Sequence, residues 1–440
     1  MRISPTTALQ LVATISSRIM INYLYVDNFK SLRNVSLLLP NFASFCGPNG
    51  SGKSNFADAW DFLGQTFGIG LAYAVAEKGG FYNMGFRRQR RSRGAVSFQI
   101  AGQVSSASGP VSSIDYRIGF SLQAKGEAIR SDFFVSGERY EFRISDATQS
   151  GSSLTVIREN DKYVFNSMFS DQLISAFPHL AHISNWAELI RPPARDLLYP
   201  ARISDVFPFD VINHQVGSIR VFRINPRNAR LTGTPSVSGE LGKYGENLPS
   251  ALDYMIANNP RGFEALKSWL KNVVPTLESL RTDYTETKQL GLFLQESGVG
   301  SPWYAEDLSD GTLMSIALFL AILDDRHKFV FIEEPENSLH PWILKTFLEC
   351  CAEAAEQRQV FITTQSPFVV ANANPSKLFL IEKSSGRTEI TNALDREPDL
   401  AKIIKQDFLN LGEYWLSGGL KAVPEPAADT EDTLFKDADE

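Results

Sequence analysis

A glycine-rich segment between an apolar stretch and a helical pattern carries the clearest chemistry in the sequence. The residues that fit the pattern of a phosphate-binding loop, Gly-x-x-x-x-Gly-Lys-Ser, are Gly47, Gly52, Lys53 and Ser54. Glycines let the backbone curl so that several N–H groups face one phosphate chain. The lysine adds positive charge, and the serine hydroxyl is a ligand for Mg²⁺. We expect a nucleoside triphosphate to be bound by Gly47, Pro48, Asn49, Gly50, Ser51, Gly52, Lys53, Ser54 and Asn55.

Two adjacent carboxylates form the second chemical feature. Phe329–Ile332 are four consecutive apolar residues, which predicts a central parallel strand buried on both faces. Glu333 and Glu334 stand at its C-terminal end, where open α/β sheets place their ligands. We expect Glu333 to hold Mg²⁺, directly or through water, and Glu334 to orient and polarise the water that attacks the γ-phosphate.

Two further segments carry polar residues next to regular elements. Leu308–Thr312 precede a helix that has apolar residues on one face. Val360–Thr364 predict another buried strand, which is followed directly by Gln365. The Gln365 side chain is expected to reach the γ-phosphate or its attacking water, and capping of its own loop is the alternative role.

The elements around these residues predict an α/β fold. Phe42–Cys46 have the character of a buried strand, and after the loop apolar residues recur at helical spacing; these are Phe56, Ala59, Trp60, Leu63 and Phe67. A strand, a turn and a helix are the context that a phosphate-binding loop requires. Residues 95–165 contain short alternating runs separated by turn residues, which predicts an antiparallel β subdomain.

The resulting domain organisation has six segments. We expect helices at 168–190, 246–258 and 262–282 within a mostly helical insertion, and a last helical region at 400–421. The expected segments are a disordered or non-native extension (1–19), the N-terminal ATPase part (20–94), the antiparallel β subdomain (95–167), the mostly helical insertion (168–300), the C-terminal ATPase part (301–421) and an acidic tail (422–440).

Composition limits the classes of protein. The 440 residues, 43% of them hydrophobic, are enough for one large α/β domain with an insertion or for two to three domains. No run of eighteen apolar residues exists, which argues against a membrane-spanning helix. The three cysteines do not suggest a disulfide framework or a zinc site, and a cytoplasmic location is expected.

Charge is distributed unevenly. The net charge of −7 comes mainly from residues 424–440, which hold seven acidic residues and one lysine. Arg87–Arg93 is a basic run that is compatible with contacts to a nucleic-acid backbone, with a solvated loop or with contacts to the nucleotide. Binding of DNA is therefore left open by the sequence.

The order of these motifs resembles the ABC-type ATPases. Within them, the sequence is most similar to the branch of RecF, SMC-like proteins and overcoming-lysogenization-defect (OLD) ATPases. The segments Tyr25–Leu32, Glu336–Pro341 and Leu411–Leu420 also resemble that branch. The resemblance covers about 21–105 and 300–421, and the middle of the chain is matched only loosely.

The resemblance implies roles for the motifs. Gly47–Ser54 would be the Walker A loop, Phe329–Glu334 the Walker B strand and Leu308–Thr312 the signature motif. In this family the signature of one subunit closes on the nucleotide of the other, so Ser309 and the Gly311 amide would meet the γ-phosphate in trans. ATP and Mg²⁺ would then be held in a head-to-tail homodimer, or in a higher homo-oligomer.

Two residues depart from the family pattern. Glu333 stands where the family usually has Asp, which changes the geometry of magnesium ligation. Gln365 stands where a switch His is common, and an amide does not relay a proton as imidazole does. Both departures affect the expected rate of hydrolysis rather than ATP binding.

OLD nucleases carry a metal-dependent Toprim domain after the ATPase, and too few residues follow Ser366 to form one. The sequence thus predicts an ATPase-only form that acts on DNA or on a protein effector, in DNA repair or in anti-phage defence. A nucleotide-gated scaffold with little hydrolysis is one alternative. A transport ATPase is a weaker one, because no membrane segment is apparent.

Overall fold

The computed structural model describes residues 19–86, 94–105, 111–125, 133–146, 151–159, 162–185, 198, 206–233, 238–337, 339–406 and 410–420. The Arg87–Arg93 run, the acidic tail and residues 1–18 of the expected extension lie outside these residues. Ile19, which we assigned to the extension, is instead the first residue of a strand, because it pairs with Val104.

The described residues form two large sheets, a small third sheet and a set of helices. In chain order the strands are β1 (Ile19–Asp27), β2 (Val35–Leu38), β3 (Phe42–Cys46), β4 (Val96–Ser105), β5 (Val111–Ala124), β6 (Phe133–Asp146), β7 (Gly151–Glu159), β8 (Lys162–Met168), β9 (Ile219–Phe222), β10 (Leu277–Tyr284), β11 (Leu290–Glu296), β12 (Trp303–Tyr304), β13 (Phe329–Glu333), β14 (Gln359–Thr364), β15 (Leu378–Ser384) and β16 (Arg387–Asn392).

The α-helices are mostly short and lie between the strands. In chain order they are α1 (Lys53–Gly68), α2 (Leu71–Glu77), α3 (Phe81–Met84), α4 (Asp171–Ala176), α5 (Phe209–Gly217), α6 (Pro226–Ala229), α7 (Leu248–Asn258), α8 (Pro260–Lys271), α9 (Asp310–Leu323), α10 (Pro341–Ala354), α11 (Pro367–Ala371), α12 (Ala393–Arg396), α13 (Leu400–Gln406) and α14 (Leu411–Leu416). Two 3₁₀ helices cover Pro178–Asn185 and Pro375–Lys377.

The central sheet has the strand order β16-β15-β3-β14-β13-β9. Strands β15, β3, β14, β13 and β9 are parallel, and β16 pairs with β15 in the antiparallel direction. All five residues of β13 and all six of β14 are buried. Parallel strands covered on both faces have this continuous apolar character, which is why the sequence predicted them.

Alternate residues of β13 pack in two different hydrophobic clusters. Phe329 and Phe331 lie in the cluster that contains α1, where the ring centroids of Trp60 and Phe329 are 4.5 Å apart. Val330 and Ile332 lie in the cluster formed with α9 and α10. Because side chains alternate along a strand, the position of each β13 residue decides which layer it joins.

The second sheet is antiparallel, with the order β2-β1-β4-β5-β6-β7-β8. Burial alternates strictly along β4, as expected for a sheet with one covered face. The antiparallel β region predicted at 95–165 is thus present, with longer strands than the sequence runs suggested. Strands β1 and β2, which come before the phosphate-binding loop in the chain, belong to the same sheet.

The helix predicted over 262–282 was wrong in its second half. Helix α8 ends at Lys271, and the following residues form β10, which pairs with β11. A register shift between Leu277 and Ser279 brings Leu277 and Leu280 to the buried side at a spacing of three residues. Such a bulge imitates helical periodicity.

Other parts of the predicted helices are also shorter or different. Residues 186–190 of the helix expected over 168–190 lie outside the described residues, and the described part contains α4 and a 3₁₀ helix that begins at Pro178, which cannot continue an α-helix. The region 168–300 contains strands as well as helices. One of these strands, β9, lies at an edge of the central sheet. No helix among the described residues is long and apolar enough to cross a membrane.

Candidate nucleotide-binding site

The phosphate-binding loop joins β3 to α1. Gly50 and Gly52 have positive φ angles of 75° and 113°, which suit glycine. A Cβ on Gly52 would lie 2.0 Å from Thr388 Oγ1, and a Cβ on Gly47 would lie 2.2 Å from the Ile381 carbonyl oxygen. Strands β15 and β16 therefore press on both ends of the loop, and glycine is required at both positions.

A network of hydrogen-bonded side chains supports the loop. Thr388 is 1% exposed, and its hydroxyl donates to the Ser51 carbonyl oxygen at 3.0 Å. The Thr388 and Ser31 hydroxyl oxygens are 2.6 Å apart. Asn55 Nδ2 donates to Ser31 Oγ at 2.6 Å. This network connects the loop, the turn after β1 and strand β16 in one hydrogen-bonded unit.

Lys53 connects the loop to the end of β13. Its ammonium group donates to the carbonyl oxygens of Gly47 at 2.8 Å and Pro48 at 3.1 Å. Its Nζ is 3.5 Å from Glu334 Oε1, and the lysine side chain is only 5% exposed. The proposed cation and the proposed base are therefore neighbours.

Glu334 adopts a strained backbone conformation at the C-terminal end of β13. Its φ is 46°, in the left-handed region that non-glycine residues avoid. The Glu334 N–H donates to the Thr363 carbonyl oxygen at 2.9 Å, which helps to fix this conformation. Glu334 Oε2 accepts from Asn337 Nδ2 at 3.0 Å and from Gln365 Nε2 at 3.2 Å. The structure thus brings Lys53, Glu334 and Gln365 together.

Glu333 and Ser54 form the second pair of the site. Glu333 is 9% exposed, and the Ser54 side chain lies close enough to act on the pKa of its carboxyl. Burial raises the pKa of Glu333 above its ordinary value, while Ser54, Arg223 and Lys243 act in the opposite direction. A carboxylate and a neighbouring hydroxyl are oxygen donors of the kind that Mg²⁺ prefers, so these two residues fit the expected metal.

A row of charges continues along α1 beside this pair. Lys30 and Lys78 are paired with Asp58, and Lys78 and Lys243 are paired with Asp61. Burial acts to raise the pKa of Asp58, but the three ammonium groups outweigh it and the pKa is lowered. A cavity of about 1420 Å³ runs along this row, and its lining does not include Lys53 or Glu334.

The residues of the loop differ in their exposure to solvent. Asn49, Gly50 and Ser54 are exposed, whereas Gly47 and Ser51 are buried. Ser51 Oγ has no hydrogen-bond partner among the described residues. A buried hydroxyl without a partner fits a phosphate oxygen as its hydrogen-bond partner.

The signature segment forms the start of α9. Ser309 is the N-cap residue, and its Oγ accepts from the Thr312 N–H at 3.1 Å. Arg230 donates to the Leu308 carbonyl oxygen at 2.7 Å and is ion-paired with Asp310. Within the described part of the chain, no hydrogen bond or ion pair joins the signature segment, Gly311 included, to the phosphate-binding loop.

Sequence reasoning missed four polar residues that shape the site. Thr388 and Arg230 are far along the chain from the segments that they hold, so spacing gave no signal for them. Ser31 and Glu336 lie in segments that were noted only for their resemblance to a family. For these two residues, the available signal was a hydroxyl or a carboxylate close to a recognised motif.

Comparisons with known proteins bear on the family and on the fold. The sequence model of the family described as "AAA domain, putative AbiEii toxin, Type IV TA system" matches residues 42–371. A search of curated proteins gave no match. The family match and the two sheets confirm the predicted α/β P-loop ATPase fold with a large antiparallel sheet.

Solved structures of SMC head domains are also similar to this chain. An SMC head bound to the C-terminal winged-helix domain of ScpA is 13% identical with a TM-score of 0.46, covering 84% of this chain and 96% of that one. The head from Thermotoga maritima is 14% identical with a TM-score of 0.38, covering 84% and 98%. The head from Pyrococcus furiosus, bound to the C-terminal domain of ScpA, is 13% identical with a TM-score of 0.44, covering 88% and 100%. Similarities at this level do not assign a function.

Proposed function

We propose that this chain is an ATPase whose ATP-dependent dimerisation gates its action on a partner. The premise is that the chain belongs to the AAA-domain family matched over residues 42–371. The observation that carries the proposal is the contact of Lys53 and Gln365 with the Glu334 carboxylate, next to the Ser54–Glu333 pair.

The proposed roles follow from the chemistry of each group. Lys53 leaves its carbonyl partners to bind the β- and γ-phosphates, because an ammonium gains more from phosphate oxygens than from neutral carbonyls. Ser54 and Glu333 would hold Mg²⁺. When bound, ATP and Mg²⁺ supply the phosphoanhydride bond and the neutralisation of its charge. Glu334 accepts the proton of the attacking water, and Gln365 orients that water or the carboxylate.

The signature segment supports the dimeric part of the proposal. Ser309 and Gly311 lie at the N-terminus of α9, a helix of 14 residues whose end carries partial positive charge. Ser309 and Asp310 are exposed, and the segment has no bond to its own loop within the described residues. We infer a head-to-tail homodimer, or a higher homo-oligomer, in which this helix end meets the nucleotide of the partner.

A second candidate function is a nucleotide-gated scaffold with little hydrolysis. The observation that favours it is that the Glu334 carboxylate is already engaged by Lys53, Asn337 and Gln365. An amide at 365 does not take up a proton, and Glu333 changes how magnesium is held. Steady-state turnover by the parental protein separates the two candidates.

The decisive experiment compares the parental protein with Glu334→Gln. We expect the variant to keep ATP bound, to lose roughly 100- to 10,000-fold in kcat and to accumulate as a dimer in light-scattering measurements with ATP. Glu278→Gln, an exposed acid on β10, is the matched control. If Glu334→Gln hydrolyses ATP at the parental rate, Glu334 is not the general base. If the variant stays monomeric in the presence of ATP, the proposed dimer is contradicted.

The biological setting is also a proposal. The resemblance to the OLD branch supports a role in anti-phage defence or in DNA repair, with a protein effector or DNA as partner. ATPase activity with and without duplex DNA, at two salt concentrations, tests the partner class. Strong, salt-sensitive stimulation is expected for DNA, whereas an unchanged rate excludes DNA as the activator and leaves a protein effector.

A further inference from the structure

Glu336 is a third carboxylate in the turn after β13. Its Oε1 accepts from the Thr364 hydroxyl at 2.8 Å and from the Gln365 N–H at 2.7 Å. Thr364 Oγ1 in turn accepts from the Ser366 N–H at 2.9 Å. A single carboxylate oxygen therefore organises three consecutive residues, the last residue of β14 and the two that follow it.

Gln365 is held between two carboxylates. Its backbone N–H donates to Glu336 Oε1, and its side-chain Nε2 donates to Glu334 Oε2 at 3.2 Å. The two acids are separated by one residue in the chain and bind the two ends of the same glutamine. The backbone contact restricts the position from which the amide side chain approaches Glu334.

The second carboxylate oxygen of Glu336 is not stabilised in this way. Glu336 Oε2 is buried and has no hydrogen-bond partner among the described residues. Burial raises the pKa of Glu336 above its ordinary value, although the bonds from Gln365 and Thr364 act to lower it. A half-paired buried carboxylate is an unfavourable way to stabilise a turn, so its two bonds to the 364–366 segment call for another explanation.

We propose that Glu336 is a positioning residue that fixes the 364–366 segment so that Gln365 stays directed at Glu334. The inference rests on the proposed function, in which Glu334 and Gln365 act on the attacking water. Glu336 itself acts through Gln365, not on the nucleotide. The contacts of Lys53 and Ser54 do not involve it, so nucleotide binding is independent of Glu336.

The kinetic test uses Glu336→Ala and Glu336→Gln. For Glu336→Ala we expect kcat to fall by roughly 10- to 100-fold, because a displacement of about 1 Å costs up to that order, with ATP affinity and KM unchanged. Glu336→Gln keeps an acceptor oxygen at the same place and is expected to retain most of kcat. Glu278→Ala is the control for removal of an exposed acid. A fall in ATP affinity equal to the fall in kcat would overturn the proposal.

A double-mutant cycle tests whether Glu336 works through Gln365. In the Gln365→Ala background, Glu336→Ala should have little further effect on kcat. Independent, multiplicative losses would overturn the proposal even if each single variant is slow.

Hydrogen exchange separates this proposal from the proposed function. If the parental protein does not hydrolyse ATP, the catalytic function fails, but the backbone contact is still measurable. Glu336→Ala should then increase exchange at the Gln365 and Ser366 amides, and Glu336→Gln should not. Equal protection of these amides in the parental protein and in Glu336→Ala would show that Glu336 does not hold the segment.

Discussion

The two halves of the candidate nucleotide site are built in different ways. The phosphate-binding loop is held in place by its own chain, through Lys53, Thr388 and the hydroxyl of Ser31. In the signature segment Leu308 is buried, whereas Ser309 and Asp310 are exposed, and Arg230 binds the Leu308 carbonyl oxygen and Asp310. A preformed half and an open half are what a composite site between two subunits needs, because only the first can be completed within one chain.

The largest expected effect comes from the preformed half. Lys53→Ala should abolish measurable ATP binding, because the buried ammonium is the main positive charge of the loop. Titration with a fluorescent ATP analogue gives the affinity, and Lys271→Ala at the exposed end of α8 is the control. Unchanged affinity in the Lys53 variant would contradict the assignment of the loop.

The open half is tested by mixing two inactive variants. Lys53→Ala removes the loop of one chain, and Ser309→Ala removes the cap at the signature helix. In a head-to-tail dimer, the mixture contains one site made of an intact loop and an intact signature, so ATPase activity should reappear. If the mixture is no more active than the separate variants, the signature does not act in trans.

A smaller effect is expected from the support under the loop. Thr388→Val keeps the shape but removes the hydroxyl that contacts Ser51 and Ser31. The loss should be about 1–3 kcal/mol in the free energy of unfolding, since buried partners are left unpaired, together with weaker ATP binding. Urea unfolding measures the first quantity. Thr391→Val, on the same strand, should be close to neutral.

The smallest effect concerns the far end of the signature helix. Asp324 follows α9, accepts hydrogen bonds from the Arg326 guanidinium and lies 3.3 Å from His327 Nε2. Burial acts to raise its pKa, but these bonds and charges outweigh it, so the folded pKa lies well below the ordinary value of 3.8. Its contribution is present above that value and is lost as the pH falls through the folded pKa. Asp324→Asn should therefore be less stable near neutral pH, and the difference should shrink in acid.

Sequence reasoning identified the parts of the site that follow from sheet geometry. Strands β13 and β14 contain the apolar runs Phe329–Ile332 and Val360–Ile362, and parallel neighbours end at the same edge. The approach of Glu334 to Gln365 was therefore predictable. The support by Thr388 was not, because it joins residues 337 positions apart through an edge hairpin.

The wrong prediction in the second half of the 262–282 helix also has its cause in tertiary pairing. Leu277 and Leu280 show helical spacing in the sequence, but a bulge against β11 places both on the buried side of a strand. Local periodicity does not report the pairing partner. Tertiary contacts decided between helix and strand at this point.

The pleat of β13 has a consequence for the order of its two acids. Phe329, Phe331 and Glu333 follow one another on the side of α1, and the left-handed turn at Glu334 sends the next carboxylate towards β14. The strand pleat thus directs Glu333 towards Ser54, whereas the turn places Glu334 between Lys53 and Gln365. Removal of one residue from β13 would turn the first of these acids away from α1 and from the serine of the loop, although every functional side chain would still be present.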